Sequence, residues 1–116
     1  MSRACDFLKE TGDDLALLDS RRDQLLALRQ YGEYLDALDP TLKGEETLVP
    51  GCASATYMTA VLNDDGTLRF YGDSESFISK GYLYILIEAL NGVTPAQMMQ
   101  DVVPCVQDFA QKAGVR

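Results

Sequence analysis

The chain has 116 residues, of which 47% are hydrophobic, and its 18 acidic and 10 basic residues give a formal net charge of −8. This length fits one domain, and the hydrophobic share excludes a disordered chain. The charge argues against nucleic-acid binding, which needs clustered lysine and arginine, and fits a basic protein partner or a plain solubility role. No run approaches the ~20 apolar residues of a membrane-spanning helix, and the N-terminus lacks the apolar segment of a secretory signal. We therefore expect a domain of the cytoplasm, or of a plastid or other organelle stroma if a transit peptide was removed.

Three cysteines stand at wide and irregular intervals, Cys5, Cys52 and Cys105. An odd count does not suit a disulfide framework, and without histidines or CxxC pairs there is no zinc signature. A three-thiolate site completed by an aspartate remains open. We expect reduced thiols, with Cys5 incidental in a frayed N-terminal region. Cys105 follows Pro104 at a predicted helix start, which can lower the pKa of a thiol.

The first third of the chain has a helical pattern. Leucines recur at helical spacing from Asp13 to Leu38, and Asp19-Ser20 predicts a break followed by a capped second helix. Gly32 inside this second helix indicates close packing. Asp39-Pro40 is predicted to end it.

The middle of the chain changes to an extended pattern. Residues 47–49 form a short strand candidate, and residues 55–62 and 67–71 read as two strands joined by the hairpin sequence Asn-Asp-Asp-Gly. These segments predict a small antiparallel sheet of about three strands.

The last third is helical again. Ser74 is the predicted N-cap of the most apolar helix, residues 76–90, which should lie across the sheet. Thr94-Pro95 predicts a short helix through Asp101, and Pro104 begins a last one toward Ala113. The order of elements predicts a single α+β domain with two layers.

Cys52 is the candidate reactive residue. It follows Pro50-Gly51 directly and precedes a predicted strand. Without histidine the commonest general base is missing, but the backbone N–H groups of residues 53 and 54 and the Ser54 hydroxyl can stabilise a thiolate. A lone thiolate suits sulfur exchange better than acyl transfer. On these residues alone, a small buried hydrophobic cysteine is an equally good interpretation.

Four segments in register resemble the SufE family of sulfur acceptors. The family has a Gly-Cys-x-Ser turn before a strand, a Gly/Ala-Asp-Ser-Asp segment that opens the long helix, a Lys-Gly pair in its first turns and a later Thr-Pro. The corresponding residues are Gly51-Cys52-Ala53-Ser54, Gly72-Asp73-Ser74-Glu75, Lys80-Gly81 and Thr94-Pro95. Their order and spacing agree over most of the chain.

The resemblance implies a function. Cys52 would accept sulfane sulfur from the persulfide of a cysteine desulfurase of the SufS or CsdA kind, stimulate that enzyme, and deliver sulfur to an iron–sulfur scaffold such as SufBCD. Such a protein is a persulfide carrier and activator rather than a self-contained enzyme. It has no cofactor of its own, because the pyridoxal phosphate belongs to the desulfurase. The resemblance also implies a fold shared with IscU-like scaffolds, whose three cysteines stand at positions that Cys5 and Cys105 do not occupy.

The same resemblance assigns supporting residues. Gly51 allows the turn, and Ser54 stabilises the thiolate. Asp73 and Glu75 would lie at the rim of the site, in partner docking rather than proton transfer, although Asp73 and Ser74 suit helix capping better than chemistry. Lys80 would supply positive potential near the loop, or is a plain exposed lysine.

Two departures from the family pattern support an alternative function. Thr56-Tyr57 stands where the family usually has Val-Trp or a similar bulky pair, and the usual C-terminal family segment is missing after residue 116. The alternative is a degenerate SufE-like domain that binds and regulates without transferring sulfur, as part of a fusion protein.

Overall fold

The structure, a computed structural model, describes residues 3–50 and 54–113. Its helices and strands are α1 (Arg3–Ala16), α2 (Arg21–Gly32), a 3₁₀ turn (Pro40–Leu42), β1 (Thr56–Leu62), β2 (Leu68–Ser74), α3 (Phe77–Leu90), α4 (Pro95–Gln97), a π-helical turn (Met98–Val102) and α5 (Val103–Ala113). Helices pack on an antiparallel sheet, which confirms the predicted α+β class. Within the described ranges, no helix is long and apolar enough to cross a membrane.

The N-terminal segment is an ordered helix, so the prediction that this region is frayed is wrong. α1 begins at Arg3 and buries Ala4, Leu8 and Leu15, a stripe at helical spacing. The Arg3 guanidinium also donates a hydrogen bond of 2.9 Å to the carbonyl oxygen of Asn91, just after α3. Burial of this stripe and the polar contact together fix the start of the helix.

A disulfide between Cys5 and Cys105 joins α1 to α5, with 5.3 Å between the two Cα atoms. The prediction that these two cysteines are reduced, with Cys5 incidental, is therefore wrong. The helices lie side by side here: a Cβ on Gly12 would meet Phe109 at 3.3 Å, and Lys112 forms an ion pair of 2.9 Å with Asp13. This contact between the two ends of the chain has no signal in the local sequence.

α2 and α3 approach so closely that glycine is required at the contact. A Cβ on Gly81 would overlap the carbonyl oxygen of Leu28, and one on Gly32 would lie 2.9 Å from the carbonyl oxygen of Phe77. The prediction of close packing at Gly32 is confirmed. α2 itself ends at Gly32 instead of Leu38, and its predicted N-cap is confirmed, since the Ser20 hydroxyl accepts a hydrogen bond from the Asp23 amide.

The sheet lies against α3. β1 and β2 pair along their whole length, and the face that carries Met58 and Phe70 packs into the core. In the described part of the chain the sheet has two strands, because the third candidate contributes only a single bridge, from Leu48 to Tyr57. The hairpin turn is confirmed, with Gly66 at a φ of 87°.

The N-cap of α3 lies two residues after the predicted one, and the helix begins at Phe77 instead of Ser76. Ser74 is the last residue of β2, and Ser76 is the N-cap, with its hydroxyl accepting a hydrogen bond of 3.3 Å from the Ser79 amide. Either serine has the chemistry of an N-cap. Strand pairing decides between them, because Ser74 pairs with Thr56 at the end of the sheet.

Candidate functional site

The residues before and after the segment that carries Cys52 are hydrogen-bonded to each other through their backbones. On the near side, the Val49 amide donates a hydrogen bond of 2.8 Å to the carbonyl oxygen of Thr56, and the Met58 amide does the same to Thr47. Gly51 and Cys52 themselves lie outside the described residues. The described residues on the two sides of this pair, Val49 and Thr56, are held together by their hydrogen bond at the end of the sheet.

Hydroxyl groups hold the far side of this segment. The Thr56 hydroxyl donates to the carbonyl oxygen of Ser54 at 3.1 Å, which leaves the Ser74 hydroxyl to donate to Thr56 at 2.9 Å. The Ser74 oxygen also accepts a hydrogen bond of 3.2 Å from the Ser76 amide. The buried hydroxyl groups of Thr56 and Ser74 therefore both have hydrogen-bond partners. The Glu75 amide adds a bond of 3.1 Å to the carbonyl oxygen of Ala55. Residues 54–56 are thus fixed to the junction between β2 and α3.

Ser54 is half-buried at the edge of this network. Among the described residues its backbone carbonyl has a partner, while no hydrogen bond is made by its hydroxyl. The predicted role of Ser54, to stabilise the thiolate of Cys52, requires a hydroxyl that is available to the loop. That role stays a prediction.

Asp73 is a buried carboxylate that ties four segments together. One oxygen accepts hydrogen bonds from the Leu38 amide and the Lys43 ammonium, both at 3.2 Å, and the other accepts from the Ser74 amide at 2.8 Å. The Lys80 ammonium lies 3.9 Å from this second oxygen. Burial raises the pKa of Asp73, but the amide hydrogen bonds from Leu38 and Ser74 and the contact with Lys43 outweigh it, so that the pKa lies below its ordinary value.

The position of Asp73 corrects one prediction. Its exposed fraction is 6%, so it does not lie at the rim of the site, where a docking partner could reach it. It does not cap α3 either, because that role belongs to Ser76. Asp73 instead holds Leu38 and Lys43 against the end of β2. Glu75 is exposed, as its predicted place at the rim requires.

Cations surround this end of the sheet in a chain that is acidic overall. The ammonium of Lys80 lies 5.6 Å from the centre of the Phe77 ring, and the Arg29 guanidinium lies 5.1 Å from the same centre. Phe77 is 60% exposed. Lys43 and Lys80 both contact the Asp73 carboxylate, so the start of α3 combines an exposed aromatic ring with cations that share one buried carboxylate.

Sequence reasoning singled out Lys80 but missed Lys43 and Arg29. Lys43 lies in a polar loop that carries no recognisable motif. Its ammonium reaches the site because it forms an ion pair with the buried carboxylate of Asp73. Arg29 reads as one more charge on the exposed face of α2. The residues next to Lys43 and Arg29 in the sequence do not predict a place in the site, because each side chain is brought there by a contact with a distant segment.

The described residues offer no group of three or more histidine, cysteine, aspartate or glutamate side chains that could hold a metal ion. Cys5 and Cys105 are joined to each other by the disulfide between α1 and α5. In the described structure these two sulfur atoms are therefore not available as thiolates.

Comparison with known proteins assigns the chain to a family. The family model described as SufE, Fe-S metabolism associated domain, matches residues 9–113. Among curated relatives, an uncharacterized SufE-like protein of Synechocystis is 35% identical over 83% of this chain and 55% of its own length. The sulfur acceptor protein CsdE of Escherichia coli is 31% identical over 80% of this chain and 61% of its own length. A chloroplastic quinolinate synthase of Arabidopsis thaliana is 33% identical over 67% of this chain but only 11% of its own length.

The chain therefore spans about half of the Synechocystis relative and a small part of the quinolinate synthase. The family match extends over α2, the sheet, α3 and α5, and so includes all four segments of the sequence resemblance. The chain belongs to the SufE family.

Proposed function

We propose that the chain is a sulfur carrier whose Cys52 accepts sulfane sulfur from the persulfide of a cysteine desulfurase. The observation that carries the proposal is the match to the SufE family over residues 9–113, a range that includes the Gly51-Cys52 pair of the family pattern.

The proposed reaction is an exchange between two sulfur atoms. The thiolate of Cys52 attacks the outer sulfur of the donor persulfide, a new S–S bond forms on Cys52, and the S–S bond of the donor breaks. The donor cysteine leaves as a thiolate, and Cys52 becomes the persulfide with the transferred sulfur and its proton. Charge is conserved, and no oxidant or reductant is needed.

The surroundings support this chemistry through electrostatics. The thiolate is the attacking form, and nearby cations and hydrogen-bond donors lower the pKa of a thiol. Lys80 and Lys43 supply positive potential at the start of α3. Gly51 allows the turn, and Ser54 contributes its hydroxyl.

The wider role follows from the resemblance. The carrier would stimulate a SufS-like or CsdA-like desulfurase by removing its persulfide, with the exposed Glu75 in docking, and deliver the sulfur to a SufBCD-like scaffold for iron–sulfur cluster assembly. Carbon–sulfur cleavage would use the pyridoxal phosphate of the desulfurase, and this chain would contribute a thiol without a cofactor. We place this role in the cytoplasm or in an organelle stroma.

A second candidate function is binding and regulation without sulfur transfer. The match to a quinolinate synthase covers only 11% of that protein, so a related domain occurs within a much longer chain. In such a setting a SufE-like domain could serve to bind a desulfurase or a fused partner. Cys52 would then be dispensable.

Activation of a desulfurase separates the two candidates. We expect the wild-type chain to raise the cysteine turnover of a SufS-like or CsdA-like desulfurase, and Cys52→Ser to return the rate to that of the desulfurase alone. The dissociation constant of Cys52→Ser should stay within about threefold of the wild type, because less than ~1 kcal/mol of binding energy is removed. Isothermal titration calorimetry measures the binding and sulfide release measures the rate.

The matched control is the double variant Cys5→Ala/Cys105→Ala, which removes the other two sulfur atoms and keeps Cys52. It should activate like the wild type at a temperature where it is folded. Activation by Cys52→Ser equal to that of the wild type would contradict the carrier function and support the binding domain.

A further inference from the structure

A cleft between β2, α3 and the segment that follows α2 combines tyrosine rings with carboxylates. It has a volume of about 100 Å³, and its lining includes Tyr34, Asp36, Tyr71, Tyr84 and Glu88. Pockets for drug-sized ligands usually need about 300 Å³ or more. The cleft therefore has room for one side-chain head group rather than for a cofactor.

The cleft is separate from the sulfur site. Lys80 and Glu88 both lie on α3, and eight residues of helix separate them by about 12 Å along the axis. The described residues that follow Cys52 are joined to the start of this helix by the hydrogen bond from Glu75 to Ala55, while the cleft lies beside its second half. A partner could occupy the cleft while Cys52 reacts.

The tyrosines present their rings to solvent as a group. Tyr34 is 71% exposed and Tyr71 is 39% exposed. The centre of the Tyr84 ring lies 5.8 Å from that of Tyr34 and 6.3 Å from that of Tyr31, which stacks on it. The face of a tyrosine ring attracts a cation, and a guanidinium can also stack on it.

Three carboxylates lie in or beside the cleft. Asp36 and Glu88 line the cleft, and Glu33 lies beside Tyr34 in the adjoining groove. All three side chains are exposed, and in residues 3–50 and 54–113 none of them forms an ion pair. Burial, and after it the negative charge of Glu88, raises the pKa of Tyr84, which places this charge close to the rings.

The cleft already holds one guanidinium on a tyrosine. Arg69 of β2 lies with its guanidinium carbon 5.5 Å from the centre of the Tyr71 ring. Tyr34 and Tyr84 line the same cleft, together with the carboxylates of Asp36 and Glu88. The cleft therefore already shows one guanidinium placed on a tyrosine ring.

We propose that this cleft binds an arginine side chain presented by a basic segment of a partner protein. Charge complementarity favours this occupant, because the chain carries a net charge of −8 and the cleft combines aromatic faces with the carboxylates of Asp36 and Glu88, with Glu33 in the adjoining groove. Arginine is favoured over lysine because its planar guanidinium can stack on a ring and bind a carboxylate in the same pose. A second copy of this acidic chain is the less favoured occupant, since like charges repel.

The test uses a five-residue peptide, blocked at both ends, with a single central arginine between glycines and serines. Two matched peptides carry citrulline or lysine at the centre. Amide chemical shifts of the isotope-labelled full chain should change around Tyr34, Asp36, Tyr71 and Glu88. The arginine peptide should bind several-fold more tightly than the lysine peptide, and the citrulline peptide should not saturate at about 10 mM.

Variants that replace the carboxylates by neutral amides test whether the peptide binds in the cleft. The triple variant Glu33→Gln/Asp36→Asn/Glu88→Gln should weaken binding of the arginine peptide by about tenfold, and Tyr34→Ala by about two- to fivefold. The matched control Glu10→Gln/Asp14→Asn/Asp64→Asn removes the same charge from exposed positions elsewhere and should leave the affinity within about twofold.

Several results would overturn the proposal. One is equal binding of the lysine or citrulline peptide, and another is equal weakening by the two triple variants. Absence of saturable shifts in the cleft at about 10 mM arginine peptide would also overturn it. If the wild type instead forms a dimer in sedimentation and the triple variant of the cleft does not, the face is an interface between copies of this chain. None of these outcomes depends on sulfur transfer by Cys52.

Discussion

Reduction of the Cys5–Cys105 disulfide is expected to lower the free energy of unfolding by about 3–5 kcal/mol. The bridge joins residues 100 positions apart and so encloses nearly the whole chain. A cross-link of this span removes a large part of the conformational entropy of the unfolded chain. Urea unfolding followed by circular dichroism, with and without a phosphine reductant, measures the difference.

The double variant Cys5→Ala/Cys105→Ala is the control for this measurement. It should unfold at the urea concentration of the reduced wild type, and the reductant should not change its midpoint. Identical midpoints for oxidised and reduced wild type, together with three thiols that react in the native protein, would show that the bridge does not form.

Asp73→Asn is expected to lower the free energy of unfolding by about 2–4 kcal/mol at neutral pH. The carboxylate accepts two backbone N–H groups and one ammonium at 3.2 Å or less, with a second ammonium at 3.9 Å. An amide has one acceptor oxygen, so it cannot serve both sides of this arrangement. Asp14→Asn is the matched control, because Asp14 is exposed, and its loss should change stability by less than about 0.5 kcal/mol.

The effect of Asp73 should depend on pH in one direction. Because its pKa in the folded state is lowered from 3.8, its contribution is fully present above that value. The contribution is lost as the pH falls through the folded-state pKa, so the gap between the wild type and Asp73→Asn should narrow below about pH 4. Urea midpoints of both proteins measured from pH 7 down to pH 3 test this. A difference in stability that grows toward acid pH would contradict a lowered pKa of Asp73.

Local signals in the sequence predicted much of the fold. The hairpin turn at Gly66, an N-cap at Asp19 or Ser20 and a helix start at Thr94-Pro95 are each predicted from residues within four positions, and the structure confirms all three, with Ser20 as the N-cap. The family resemblance, carried by four short segments in register, is confirmed by the match over residues 9–113. Here the chemistry of a few neighbouring residues decides the structure.

What the sequence did not predict depends on distant contacts. The disulfide needs α1 and α5 side by side, and the choice of Ser76 over Ser74 as N-cap depends on strand pairing with Thr56. Lys43 enters the site only because Asp73 is buried at the end of β2. In each case the deciding partner lies at least 18 residues away, beyond the reach of periodicity or capping rules.

The most direct test of the central claim is the fate of a single transferred sulfur. A desulfurase is charged with cysteine, freed of excess substrate by gel filtration, and mixed with the oxidised wild-type chain or with Cys52→Ser. Peptide mass spectrometry after alkylation then locates the added atom. We predict one extra sulfur on Cys52 in the wild type, a matching loss from the desulfurase and no transfer to Cys52→Ser. An unmodified Cys52 beside a desulfurase that is active and binds the chain would contradict the carrier function.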